Sequence, residues 1–135
     1  MLFSRKAKSI FAFILLITFM FDMSVGFVAK RFGMPAAEFY MSTVEVLSSE
    51  YRAQRGDADA IEKLGWYHGV WKNDSEKQLH WWSVGASHNI PRYQFLFGKT
   101  QLLMGKDREL AILWIRKSAS SNYKPAQKFL EDTNE

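Results

Sequence analysis

At 135 residues and without a single cysteine, the chain has the length of one domain. It has no means of making disulfides, thiolate metal sites, a nucleophilic thiol or a lipidated cysteine. The formal charge of +4 overstates its basicity: Arg5, Lys6 and Lys8 against Asp22 in the first 26 residues leave 15 basic and 13 acidic side chains in the rest. No Lys/Arg-rich run survives there, so the electrostatic footprint of a nucleic-acid binder is missing.

Residues 1–29 have the layout of a signal peptide or membrane anchor. A basic start is followed by an apolar run from Ile10 to Phe21, then Asp22 and the small-residue stretch Ser24-Val25-Gly26. The run is short for a hydrocarbon core of about 30 Å, which needs about 20 residues, so the first reading is a signal cleaved between Gly26 and Phe27. The second is an uncleaved anchor from Ala7 to Val28, with Lys30 and Arg31 at the far boundary. Both put the basic end in the cytoplasm and the working part outside it, in the periplasm or on the outer face of the inner membrane.

Residues 30–56 read as a connector and a capping helix. Gly33 and Pro35 are breakers, and a helix is expected to run to about Gln54 with Ala37, Tyr40, Val44, Leu47 and Tyr51 as its inward stripe. Gly56 is the natural stop. A second helix is predicted from about Ala58 to Trp71, burying Ala60, Leu64, Tyr67 and Trp71. A third is capped by Asn73 or Asp74 and carries Trp81, Trp82 and Ala86 inward. Pro91 opens a fourth, with Leu96, Phe97 and Leu103 as its apolar face, and Gly105 ends it. Asp107 caps a fifth, bearing Ala111, Trp114, Ile115 and Ala119, and a short sixth follows from Pro125. No stretch alternates polar and apolar residues as a strand would.

Residues 65–97 and 98–130 share eight identities: Gly65/Gly98, Asp74/Asp107, Glu76/Glu109, Trp81/Trp114, Ala86/Ala119, Ser87/Ser120, Asn89/Asn122 and Gln94/Gln127. A 33-residue period announces stacked helical hairpins, each too short to bury its own apolar face. The units fall at about 57–89 and 90–122, with a partial one at 123–135. The expected fold is therefore all-α, a short α-solenoid of antiparallel helical hairpins after the N-terminal segment.

The segments AIEKLG (Ala60 to Gly65) and DRELAILWIRKSA (Asp107 to Ala119), with Asn122 to Leu130, resemble Sel1-like repeats, a TPR-like family. The resemblance covers about residues 57–130. It departs from the family in the trimmed loop Val70 to Asp74 and in Tyr93, which stands where Ala60 and Ala126 stand in the neighbouring units. A bulky ring there is expected to splay or rotate the middle hairpin. The resemblance implies a scaffold or regulator of protein assemblies, like exported bacterial members of the family, with no catalytic residues in the repeats.

Most aromatics hold apolar places that recur in the repeat. Trp66 and Phe95 do not: they correspond to Lys99 and to Glu62 and Lys128. With Arg92, the residues Trp66, Phe95 and Lys99 form a candidate partner-binding patch on the first-helix face, exposed Trp with Arg being hot-spot composition. The competing reading is that the splay at Tyr93 buries Trp66 and Phe95. Among the histidines, His80 is expected to be partly buried and His68 and His88 to lie on the surface. No metal, cofactor or catalytic constellation is expected, and Asp57, Asp74 and Asp107 read as helix caps. The function expected is a non-enzymatic protein-binding adaptor or regulator in the bacterial cell envelope, with self-association through the solenoid's open ends. A glycan- or peptidoglycan-binding module using exposed aromatics is the alternative, and a small envelope enzyme a third.

Overall fold

The computed structural model describes residues 5–34 and 36–134; Pro35, expected as a breaker, lies outside the described residues. Among them the chain is helical, with seven α-helices and no strand: α1 (Arg5–Arg31), α2 (Thr43–Ala53), α3 (Ala58–Trp66), α4 (Ser75–Ser87), α5 (Pro91–Leu103), α6 (Arg108–Ser120) and α7 (Lys124–Thr133). A 3-10 turn, Ala37–Phe39, precedes α2, and a π-helical turn, Tyr67–Trp71, continues α3. From α2 onward each helix packs on the next.

The boundaries follow local chemistry. Asp57, Asp74 and Asp107 cap α3, α4 and α6, each accepting the backbone N–H three residues on, at Ala60, Lys77 and Leu110. Ser42 caps α2 with a reciprocal bond from its own N–H to Glu45, which holds the Glu45 carboxyl below its usual range. Gly56, Asn89 and Asn122, spaced by 33 residues, end α2, α4 and α6 at φ of 86°, 58° and 62°. Glycine and asparagine are the residues that reach this left-handed region cheaply.

Two clusters make the core. The first joins Met41, Ala53, Ala60, Ile61, Leu64, Tyr67, Trp81, Trp82 and Tyr93; the second joins Phe95, Ile112, Ile115 and Ala126. Close approach between helices is possible because Gly65 and Gly98, one period apart, face Trp82 and Ile115, which are also one period apart. The Tyr93 ring is accommodated rather than disruptive. It is 1% exposed, stacks on Trp82 with centroids 5.6 Å apart, and fills the space left by Gly85, where a Cβ would meet it at 2.4 Å. One period on, the same two places hold Ser118 and Ala126. The bulk has moved from one partner to the other. Its hydroxyl donates to the Ala58 carbonyl at 2.6 Å, and burial pushes the phenol up to about 12.

Three expectations about faces need correction. In α2, Val44, Leu47 and Tyr51 point outward, at 57%, 61% and 60% exposed, while Ser49 and Ala53 turn inward with Val46 beside them. Ala37 and Tyr40 belong to the 3-10 turn and the segment after it, because the helix starts only at Ser42. In α5, Leu103 is 79% exposed, and the buried side is Tyr93, Gln94, Phe95, Gly98 and Gln101. Among the histidines, His68 and His80 exchange the places expected of them. His68, in the π-turn, is buried with neither ring nitrogen bonded, and burial lowers its pKa; His80 and His88 are exposed. The repeat mate Gln101 is buried as well, so this place faces inward in both units although both residues are polar.

Candidate functional site

A concavity lies beside Trp66. Its walls come from the end of α1 (Lys30), the turn before α2 (Phe39, Met41), α2 (Glu45, Arg52) and α3 (Glu62, Lys63, Trp66), and it encloses about 420 Å³. That is within the usual range of ligand clefts, about 300–1,000 Å³. Three cations, Lys30, Arg52 and Lys63, face three carboxylates, Glu38, Glu45 and Glu62, around an aromatic floor.

Trp66 is half-buried in this wall. Its ring meets Trp82 edge-on at 5.5 Å and Phe39 at 6.0 Å, and its indole N–H donates to Glu62 Oε1 at 3.3 Å. The same oxygen accepts from Arg92 Nη2 at 2.5 Å, across from α5 to α3. Glu62 therefore ties Trp66 and Arg92 together. Both partners of the ion pair are substantially solvated, so the pair itself contributes about 1 kcal/mol or less.

Of the four residues expected to form one patch, the structure joins Trp66 to Arg92 and, separately, Lys99 to Phe95. Phe95 is a correction: it is 9% exposed, packed against Tyr123 and Phe129 at centroid distances of 5.8 and 6.0 Å in the second core cluster. The exposed Lys99 ammonium sits 5.8 Å from that ring, capping it from solvent. An apolar residue at a position that is polar in its repeat mates was recruited inward, because α7 supplies Phe129 to cover it.

A polar clamp escaped the sequence reading. Asp22, on α1, accepts from the Tyr40 hydroxyl at 2.5 Å and from the Thr43 backbone N–H, the first N–H of α2. The Tyr40 ring packs against Gly26, where a Cβ would meet it at 2.3 Å, and lies nearly perpendicular to the Trp71 ring. Burial, with the Asp22 carboxylate, pushes the Tyr40 phenol above its usual pKa. The signal available was Asp22 itself, the lone acid in an apolar run, since ionisable groups in such segments are retained only with partners. Ser9–Arg31 is long and apolar enough to cross a membrane by length and composition. Comparison with protein-family models, curated proteins and solved structures finds no match to this chain.

Proposed function

We propose that this chain is a non-enzymatic adaptor or regulator of the Sel1-like repeat type, a short solenoid of helical hairpins held at the outer face of the inner membrane by an uncleaved α1. A partner protein docks an extended segment in the cleft beside Trp66. The observation that carries the reading is that the cleft is completed by α1: Lys30 closes one wall, and the Asp22 clamp fixes α1 to the turn that supplies Phe39 and Met41. Cleavage after Gly26 would strip Asp22 from Tyr40 and Thr43, which favours the anchor over the cleaved signal.

A cleft lined by charges of both signs and an aromatic wall suits the backbone and one or two side chains of a peptide, with Trp66 as anchor and Arg92 holding Glu62 in place. The glycan alternative needs open ring faces for stacking. Here Trp66 lies between Phe39 and Trp82, and Trp114 has Lys117 over its ring and Phe97 edge-on to it.

The test places a photo-crosslinking residue at Ser48 or Lys63 beside the cleft, and at Lys128 away from it, in the full chain in its native envelope. A discrete protein adduct is expected from the cleft positions, lost in Trp66→Ala while circular dichroism stays helical. Equal adducts from Lys128, or wall glycan recovered in place of protein, would overturn the reading.

A further inference from the structure

Three features stand outside the cleft: the buried, unbonded His68, the outward leucines Leu110 and Leu113 of α6, and the outward stripe of α2. The first two have nothing beside them that points to a ligand or an occupant. The third does. Val44 shares a groove with Phe19, Met23, Phe27 and Lys30 of α1, so the open apolar side of α2 is continuous with the apolar side of the anchor helix.

Helix length fixes where that junction lies. From Ser9 to Phe21 is about 20 Å at 1.5 Å per residue, short of the roughly 30 Å hydrocarbon core. An α1 that spans the bilayer must therefore use the stretch beyond Asp22 as well, up to about Val28. Whatever is clamped to Asp22 is carried to that depth. What is clamped there is the Tyr40 hydroxyl and the first N–H of α2. The clamp also supplies the bonds that a carboxylate in such surroundings requires, through a phenol and a helix N-terminus.

We propose that α2 is a membrane-interface helix, with Val44, Leu47 and Tyr51 resting in the outer headgroup and acyl boundary of the bilayer that α1 crosses. The inference rests on the anchor reading of α1. Its composition fits that occupant. Three apolar side chains more than half exposed line one side of an 11-residue helix; Tyr51 is an interfacial aromatic, and the Arg55 guanidinium lies 4.4 Å from its ring centroid, at headgroup range. Phe32 and Met34, just beyond Lys30 and Arg31, are also exposed, at 77% and 48%. Seated this way, α2 sets the cleft at a fixed height above the membrane.

The absence of cysteine makes the test direct, since a single introduced cysteine carries the only label. The full chain is reconstituted in vesicles of zwitterionic and anionic phospholipid, with an environment-sensitive fluorophore on Phe13→Cys, Leu47→Cys or Glu131→Cys. Quenching by nitroxide-bearing lipid is compared with quenching by aqueous iodide. Lipid quenching is expected at Phe13 and Leu47 and iodide quenching at Glu131. Phe13 quenched by lipid with Leu47 open to iodide overturns this inference and leaves the anchor standing; Phe13 open to iodide overturns both. Leu47 shielded from iodide without lipid quenching, increasingly so at high protein-to-lipid ratio, shows a second copy of the chain in place of lipid and also overturns it. Added to the Leu47 label, Asp22→Ala is expected to reduce lipid quenching severalfold, with Phe13 unaffected in its own label. Unchanged quenching at Leu47 would overturn the clamp as the cause.

Discussion

Helices α2, α4 and α6 recur at the 33-residue period, agreeing on their buried side and differing on their open one. Inward, Val46, Leu79 and Ile112 correspond, as do Ser49, Trp82 and Ile115, and Ala53, Ala86 and Ala119. Outward, α4 presents Lys77 and His80, whereas α2 presents Val44 and Leu47 and α6 presents Leu110 and Leu113. Packing fixes the inner positions in every unit. The outer positions answer only to what each unit faces, and α2 has α1 beside it.

The largest effect expected comes from the shared inner side of the middle unit. Trp82→Ala removes a ring that meets Gly65, Trp66 and Tyr93, and should cost about 3–5 kcal/mol in denaturant unfolding of the detergent-solubilised chain. A cost under about 1 kcal/mol would mean that α4 is not packed as described.

Gly98→Val tests the same contact one unit on, where a Cβ would lie 2.5 Å from the Ala111 backbone oxygen. Backbone cannot swing aside, so overpacking of about 1–3 kcal/mol is expected. Asp107→Ala removes the α6 cap and should cost about 1 kcal/mol by the same measurement.

His68 gives a pH dependence of defined sign. Its folded pKa is depressed by burial, so below about 6.5 the unfolded chain takes up a proton that the folded chain resists. Stability from this group is complete above that pH and falls as pH drops toward the folded pKa. The melting temperature should therefore decline less between pH 7 and pH 5 in His68→Gln than in the parent. The smallest effect belongs to the open side: Leu47→Ser should change stability by no more than about 0.5 kcal/mol, since its side chain is 61% exposed.

The outward side of α2 shows where periodicity misleads. Val44, Leu47 and Tyr51 satisfy helical spacing as well as any core stripe, yet all three stay outside, and Val44 and Leu47 align with the polar Lys77 and His80. The repeat register, with Val46, Ser49 and Ala53 aligned to Leu79, Trp82 and Ala86, was the better guide. Serine at position 49 concealed it. Phe95 misled in the opposite direction: its mates Glu62 and Lys128 are polar, and only the arrival of Phe129 and Tyr123 from the last helix makes that site apolar.

The sequence by itself determined what is local: the six helices after the N-terminal segment, the three aspartate caps, the left-handed stops at Gly56, Asn89 and Asn122, and the 33-residue recurrence. Each depends on a few neighbouring residues and on backbone energetics that act before any tertiary contact. Tertiary structure alone decided which of two apolar stripes turns inward, that Tyr93 fits because Gly85 yields, that Glu62 joins Trp66 to Arg92, and that Asp22 reaches across some twenty positions to Tyr40 and Thr43. Those outcomes depend on volume and hydrogen-bond partners supplied from elsewhere in the chain, and no local pattern encodes them.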